Sequence, residues 1–161
     1  MLNRFIYILL ATFLISCNSN TVVSSSKSVE NNWNKNDIVE FEIPQLDSLQ
    51  LYNVFIDIRN SNEYKYSNLY LIASIEFPHG KFIVDTLEYK MAQPDGSWLG
   101  AGIGSVKENK LWYKEKVRFS EEGIYTLRIE HAARNNGAVE GVSNLEGITD
   151  VGYSIEISSE Q

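Results

Sequence analysis

Chemistry in this chain would have to come from few side chains: Cys17, His79, His131 and the carboxylates Asp85, Glu88 and Asp95. Nucleophilic catalysis needs a base beside its nucleophile. Only two histidines could serve, His79 in a Pro-His-Gly turn and His131 at the end of a strand-like run, and no G-x-S-x-G elbow accompanies them. Zinc requires clustered Cys and His ligands, and no such spacing occurs. Asp85, Glu88 and Asp95 would form an acid and base pair only if strands brought them together. In a chain of net charge −7 a solvated acidic surface is the simpler reading. Gly100-Ala101-Gly102-Ile103-Gly104 lacks both the Lys-Ser/Thr of a P-loop and the G-x-x-G of a dinucleotide fingerprint. It reads instead as a flexible or bulged hairpin. The expectation is a protein that is not an enzyme, with no catalytic residue, metal, cofactor or small-molecule substrate.

Cys17 is the exception, because its surroundings specify a chemistry. Arg4 supplies a positive start, and Phe5 to Ile15 form an apolar run broken only by Tyr7 and Thr12. About 11 apolar residues cover half of the ~20 a membrane-crossing helix needs, so the run reads as a secretory signal. Leu14-Ile15-Ser16-Cys17 resembles the lipobox of bacterial lipoproteins, in which the cysteine thiol accepts diacylglycerol. Cys17 is the only cysteine and has no disulfide partner. Two or more acyl chains suffice for stable anchoring. Residues 1–16 are therefore expected to be a cleaved signal, and residues 17–36, rich in Asn, Ser and Lys, a lipidated flexible tether. No acidic run follows Cys17, which favours the outer membrane facing the periplasm. Removing residues 1–16, which carry one Arg and no acid, leaves a charge of −8. That excludes nucleic acid as a partner and leaves the lipid on Cys17 to hold the membrane.

The elements beyond the tether follow a period of two. Tyr52, Val54, Ile56 and Ile58 alternate with Asn53, Phe55, Asp57 and Arg59, and Leu69, Leu71, Ala73, Ile75 and Phe77 form another apolar face. Ile83, Leu87 and Tyr89 mark a further strand, with Asp85 on the same face. Runs over 38–43, 111–119, 125–129 and 151–157 complete about seven or eight strands. Turns at Asn60-Ser61-Asn62, Pro78-His79-Gly80, Pro94-Asp95-Gly96, Glu122-Gly123 and Asn135-Asn136-Gly137 separate them. Strict alternation means one buried face and one wet face. The expected fold is all-β: a single antiparallel sandwich, immunoglobulin-like or jelly-roll-like, over residues 37–161. Ser120 to Tyr125 resembles the tyrosine corner of immunoglobulin-like sandwiches.

Asp85-Thr86-Leu87-Glu88-Tyr89 followed by Asp95-Gly96-Ser97-Trp98-Leu99-Gly100-Ala101-Gly102 resembles the GldH gliding-motility lipoproteins of Bacteroidetes. Ile58-Arg59-Asn60, Tyr64 to Tyr70 and Gly147-Ile148-Thr149-Asp150-Val151-Gly152 agree in order. The resemblance implies a non-enzymatic envelope component of gliding motility and type IX secretion that acts by binding other envelope proteins. Asp95, Gly96, Trp98, Gly100 and Gly102 form the candidate interaction loop, with Trp98 either its recognition residue or a cover over the sandwich edge. A glycan-binding sandwich using Trp98, Trp112 and tyrosines is the alternative.

Overall fold

Alternation in the sequence becomes pairing in space. The computed structural model describes residues 20–134 and 140–159, so the signal, Cys17 and the Asn135-Asn136-Gly137 turn lie outside the described residues. Ten strands follow one another: β1 (Thr21–Ser28), β2 (Asn32–Asn34), β3 (Val39–Ile43), β4 (Tyr52–Asn60), β5 (Asn68–Glu76), β6 (Phe82–Lys90), β7 (Lys107–Val117), β8 (Tyr125–His131), β9 (Asn144–Glu146) and β10 (Ile148–Ile157).

Eight of them form two four-stranded antiparallel sheets, ordered β1-β10-β4-β7 and β3-β8-β5-β6; β2 and β9 make a small ribbon. The pairs β1/β10, β3/β8, β4/β7 and β5/β6 match the outermost strands with the outermost and the innermost with the innermost. A long antiparallel ribbon rolled up in this way is a jelly roll. The strand order thus selects the jelly roll over the immunoglobulin-like alternative. The expected corner survives locally: Glu121 N–H donates to the Tyr125 hydroxyl at 2.9 Å, four residues on.

The sheets meet through their inward rows. Val54, Ile56 and Ile58 with Val151, Tyr153 and Ile155 face Leu69, Leu71 and Ala73 with Leu127 and Ile129, all fully buried. Each buried Val, Leu or Ile among them contributes about 1.5–3 kcal/mol relative to exposure. Phe41 and Tyr153 join the layers, with ring centroids 5.1 Å apart.

The expected tether requires correction. Residues 21–28 and 32–34 belong to the folded domain, as β1 and β2. The polar run concealed this because β1 is an edge strand that buries little; its order comes from backbone pairing with β10 from Thr21↔Glu156 to Ser28↔Asp150. Such pairing needs no hydrophobic period. Trp33 was the legible signal. It is 1% exposed, and its Nε1–H donates to Asp37 O at 2.8 Å.

The sandwich has two ends. The entry pole gathers the start of β1, the end of β10 and the β3–β4, β5–β6 and β7–β8 connections. The far pole gathers the β4–β5 and β6–β7 connections and the β2/β9 ribbon. Ten residues of β10 connect them, a span of roughly 30 Å.

Candidate functional site

The loop between β6 and β7 is built on a fixed base at the far pole. Met91 is buried, its N–H donates to Ser67 O at 2.8 Å, and its carbonyl accepts from Leu99 N–H at 2.9 Å. Ala101 and Glu108 exchange both backbone hydrogen bonds, at 2.9 and 2.7 Å. Between these clamps, Gln93 to Ser97 form a tight turn with Gly96 at φ +85°. Asp95 Oδ1 accepts from the Ser97 N–H at 2.9 Å and the Ser97 hydroxyl at 2.6 Å, which hold its carboxyl below the usual range. Asp95 is thereby a turn-former (Asx turn) rather than a free acid.

Trp98 takes the covering role. It is half-buried against the core, its Nε1–H donates to Asn62 Oδ1 at 3.1 Å, and its ring lies 6.1 Å from that of Tyr64. Gly100 permits a close approach of the loop to β7. A Cβ there would stand 2.7 Å from Asn109 Oδ1. Asn109 is itself buried and pinned, donating to Ile58 O at 3.1 Å and Asn60 Oδ1 at 2.8 Å. Gly102, at φ +138°, offers its carbonyl to Lys107 Nζ at 2.8 Å.

Beside the polar residues Gln93, Asp95, Ser97 and Ser105, the loop presents three large aliphatics to solvent. Ile103 is fully exposed at the tip, with Leu99 and Val106 also exposed. A groove of about 510 Å³ runs beside the tip, lined by Ile103, Val106, Arg59, Glu108 and Asp150. Sequence spacing does not single out these three aliphatics. Their one available signal was apolar residues inside a glycine-rich turn, where no strand period calls for them.

The residues considered for catalysis are each engaged elsewhere. His131 is buried: Nε2–H donates to Trp33 O at 3.0 Å, and burial pushes its pKa down. His79 pairs through Nδ1 with Glu121 at 2.8 Å in the open. On β6, Asp85 lies on the inward face, where it meets Lys114 Nζ at 2.8 Å and the Tyr113 hydroxyl at 3.0 Å. Glu88 lies on the opposite, exposed face, where the Tyr70 hydroxyl at 2.7 Å and Asn68 Nδ2 at 3.0 Å depress its pKa. Two carboxylates on opposite faces of one strand cannot share a substrate. No group of three or more metal-ligating side chains occurs among the described residues.

A second surface lies on the outer face of the β1-β10-β4-β7 sheet. Trp112 is 55% exposed, with its ring 4.5 Å from that of Phe55, and Lys110 Nζ sits 4.3 Å above Phe55. Beside them runs a polar trough of about 590 Å³, lined among others by Asp57, Arg59, Glu108, Lys110 and Ser154. Arg59 pairs with Glu108 at 2.6 Å, and Lys110 pairs with Glu156. Burial raises the Asp57 carboxyl, partly offset by the nearby Ser154 hydroxyl and Lys110. Ser154 Oγ is buried and makes no hydrogen bond of ordinary geometry to protein.

Comparison with known proteins fits the whole of this domain. The model of the GldH lipoprotein family matches residues 21–155, beginning at the first residue of β1. The chain is 51% identical over 154 residues to the gliding motility lipoprotein GldH homolog of Christiangramia forsetii, covering 96% of this chain and 94% of that protein. It is 47% identical over 154 residues to the gliding motility lipoprotein GldH of Flavobacterium johnsoniae, covering 96% of each. A chain of infectious bursal disease virus, Gt strain, gives a TM-score of only 0.32 at 12% identity, over 85% of this chain and 32% of that one, too weak a likeness to build on. The resemblance carried by the Asp-Gly-Ser-Trp-Leu-Gly segment and by Gly147 to Gly152 therefore holds along the full domain, and the chain belongs to the GldH lipoprotein family.

Proposed function

We propose that this protein is a gliding-motility lipoprotein, anchored by a lipid on Cys17, that works by binding other envelope proteins rather than by catalysis. The observation that carries the reading is its likeness, over 96% of its length, to proteins named for gliding motility. The interaction surface is the β6–β7 loop. Clamped at Met91 and Ala101, it holds Leu99, Ile103 and Val106 in solvent with little ordering left to lose on binding. Exposed aliphatics on a rigid, polar-rimmed base suit a protein partner. The finer assignment is to the outer membrane, facing the periplasm, within the machinery shared by gliding and type IX secretion. What supports a non-catalytic role is the engagement of His79, His131, Asp85 and Glu88 in packing and local pairs. Deleting the gene tests it: colony spreading and secretion should both fail and return with the wild-type chain. Normal spreading in the deletion strain would refute it.

A second reading, glycan binding, draws on the Trp112 and Phe55 platform beside the polar trough. Aromatic faces and flanking hydrogen-bonding groups are what a sugar ring needs. Glycan-array binding abolished by Trp112→Ala would support it, and a blank array would remove it.

A further inference from the structure

We propose that the entry pole of the jelly roll rests directly on the lipid bilayer, with Leu49, Ile124 and Ile157 in contact with it. The inference rests on the lipid at Cys17 and adds the orientation of the domain that the lipid holds.

The geometry starts from the length of chain between anchor and fold. Asn20 is already fixed, since its carbonyl accepts from Ile157 N–H at 3.0 Å, and β1 begins at Thr21. Three Cα–Cα steps separate Cys17 from Asn20, which reach at most about 11 Å. A lipid on Cys17 therefore keeps the start of β1 within about one turn of chain from the headgroups. A tether of twenty residues would let the domain tumble freely; three steps of chain do not.

The surface at that pole is suited to such contact. Leu49 projects from the β3–β4 connection and is 84% exposed. Ile124, just before β8, Ile157 at the end of β10, Val22 near the start of β1 and Phe82 at the start of β6 are exposed at the same end. The pairs Ile43↔Tyr125 and Tyr52↔Ile157 place the bases of these connections beside one another. Exposed apolar residues gathered at one end mark an interaction surface. Charge there is mixed and not basic, with Lys81, Lys116 and Arg118 set against Asp47, Glu115, Glu121 and Glu122. Attraction to anionic headgroups is therefore not the driving force; shallow apolar insertion beside the lipid anchor is. It follows that the contact should be insensitive to salt.

Fluorescence quenching on the full acylated chain tests this. Acylated Cys17 has no free thiol, so Leu49→Cys and Ile103→Cys each carry a single labelling site, both at exposed positions that the fold tolerates. Each variant is reconstituted in phosphatidylethanolamine–phosphatidylglycerol vesicles, and the acyl mass on Cys17 is measured separately. The label at 49 should be quenched several-fold less by aqueous iodide than the label at 103, more by spin-labelled lipid, and equally at low and high salt. Equal iodide quenching at both positions on an acylated chain overturns the orientation alone. A chain lacking the acyl mass overturns the anchor, and the orientation with it.

Discussion

The two poles of this sandwich expose similar side chains for different structural reasons. At the entry pole, Leu49 and Ile124 sit in connections that cross from one sheet to the other, and nothing in the fold requires them to be apolar. At the far pole, Ile103 and Leu99 stand on a fixed base: the Ala101–Glu108 clamp, the Gly100 approach to Asn109 and the Trp98 cover. The far pole is also the one plugged by Trp33 and stitched by the β2/β9 ribbon. Both poles are packed inside, the entry pole by Tyr52, Phe119, Tyr125 and Phe77 and the far pole by Trp33 and Tyr64. What separates them is that the far-pole aliphatics stand on a loop held by backbone hydrogen bonds at Met91 and Ala101, whereas Leu49 and Ile124 lie in crossings between the sheets.

Breaking the far-pole closure should have the largest effect. Gly147, at φ +87°, turns the chain between β9 and β10, and a Cβ there would lie 2.1 Å from Tyr64 N. Because the obstacle is backbone, Gly147→Ala is expected to cost on the order of 4 kcal/mol or more in urea unfolding. Gly104→Ala, at φ +89° with open space around it, should cost only about 1 kcal/mol of backbone strain. Trp33→Ala should cost about 3–5 kcal/mol, whereas Leu49→Ala at the entry pole should stay within about 0.5 kcal/mol of wild type. Equal losses at 33 and 49 would erase the contrast between the poles.

Acid should loosen the far pole as well. The pKa of His131 in the folded chain lies below its unfolded value, so the unfolded chain binds the proton more readily. The neutral ring's contribution to stability is present above the unfolded value near 6.5 and is lost as pH falls below it. His131→Gln should flatten the dependence of Tm on pH below 6.5; an unchanged slope would show that other groups govern it.

The smallest expected effect on stability belongs to the presented tip. Ile103→Ser should leave urea unfolding within about 0.5 kcal/mol of wild type yet reduce colony spreading. A variant equally stable and fully motile would remove Ile103 from the interface.

How much of this was legible in the sequence depends on what held each part in place. Strands with a buried face announced themselves: the periods in Tyr52 to Ile58, Leu69 to Phe77 and Tyr125 to Ile129 correspond to β4, β5 and β8. β1 did not, because an edge strand of Thr, Val and serines is held by backbone hydrogen bonds to β10, which leave no side-chain period. Jelly roll and immunoglobulin-like sandwiches share strand number and alternation, so only pairing across more than a hundred residues, as in Thr21↔Glu156, separates them. The candidate loop was found through its glycines and Trp98, but the exposed aliphatics beyond them follow from side-chain direction, which spacing does not encode. The poles themselves became visible only with the fold.

In the proposed function the far-pole loop meets a protein partner while the lipid holds the opposite end. A photocrosslinking residue placed at Ile103 in living cells, with Glu88 on the outer face of β6 as a control position, tests it most directly. Discrete adducts from position 103 to envelope proteins of the gliding or secretion machinery are expected, absent from position 88 and lost in Cys17→Ala. No adduct at 103 in a stable, motile strain, or the same adducts from both positions, would contradict it.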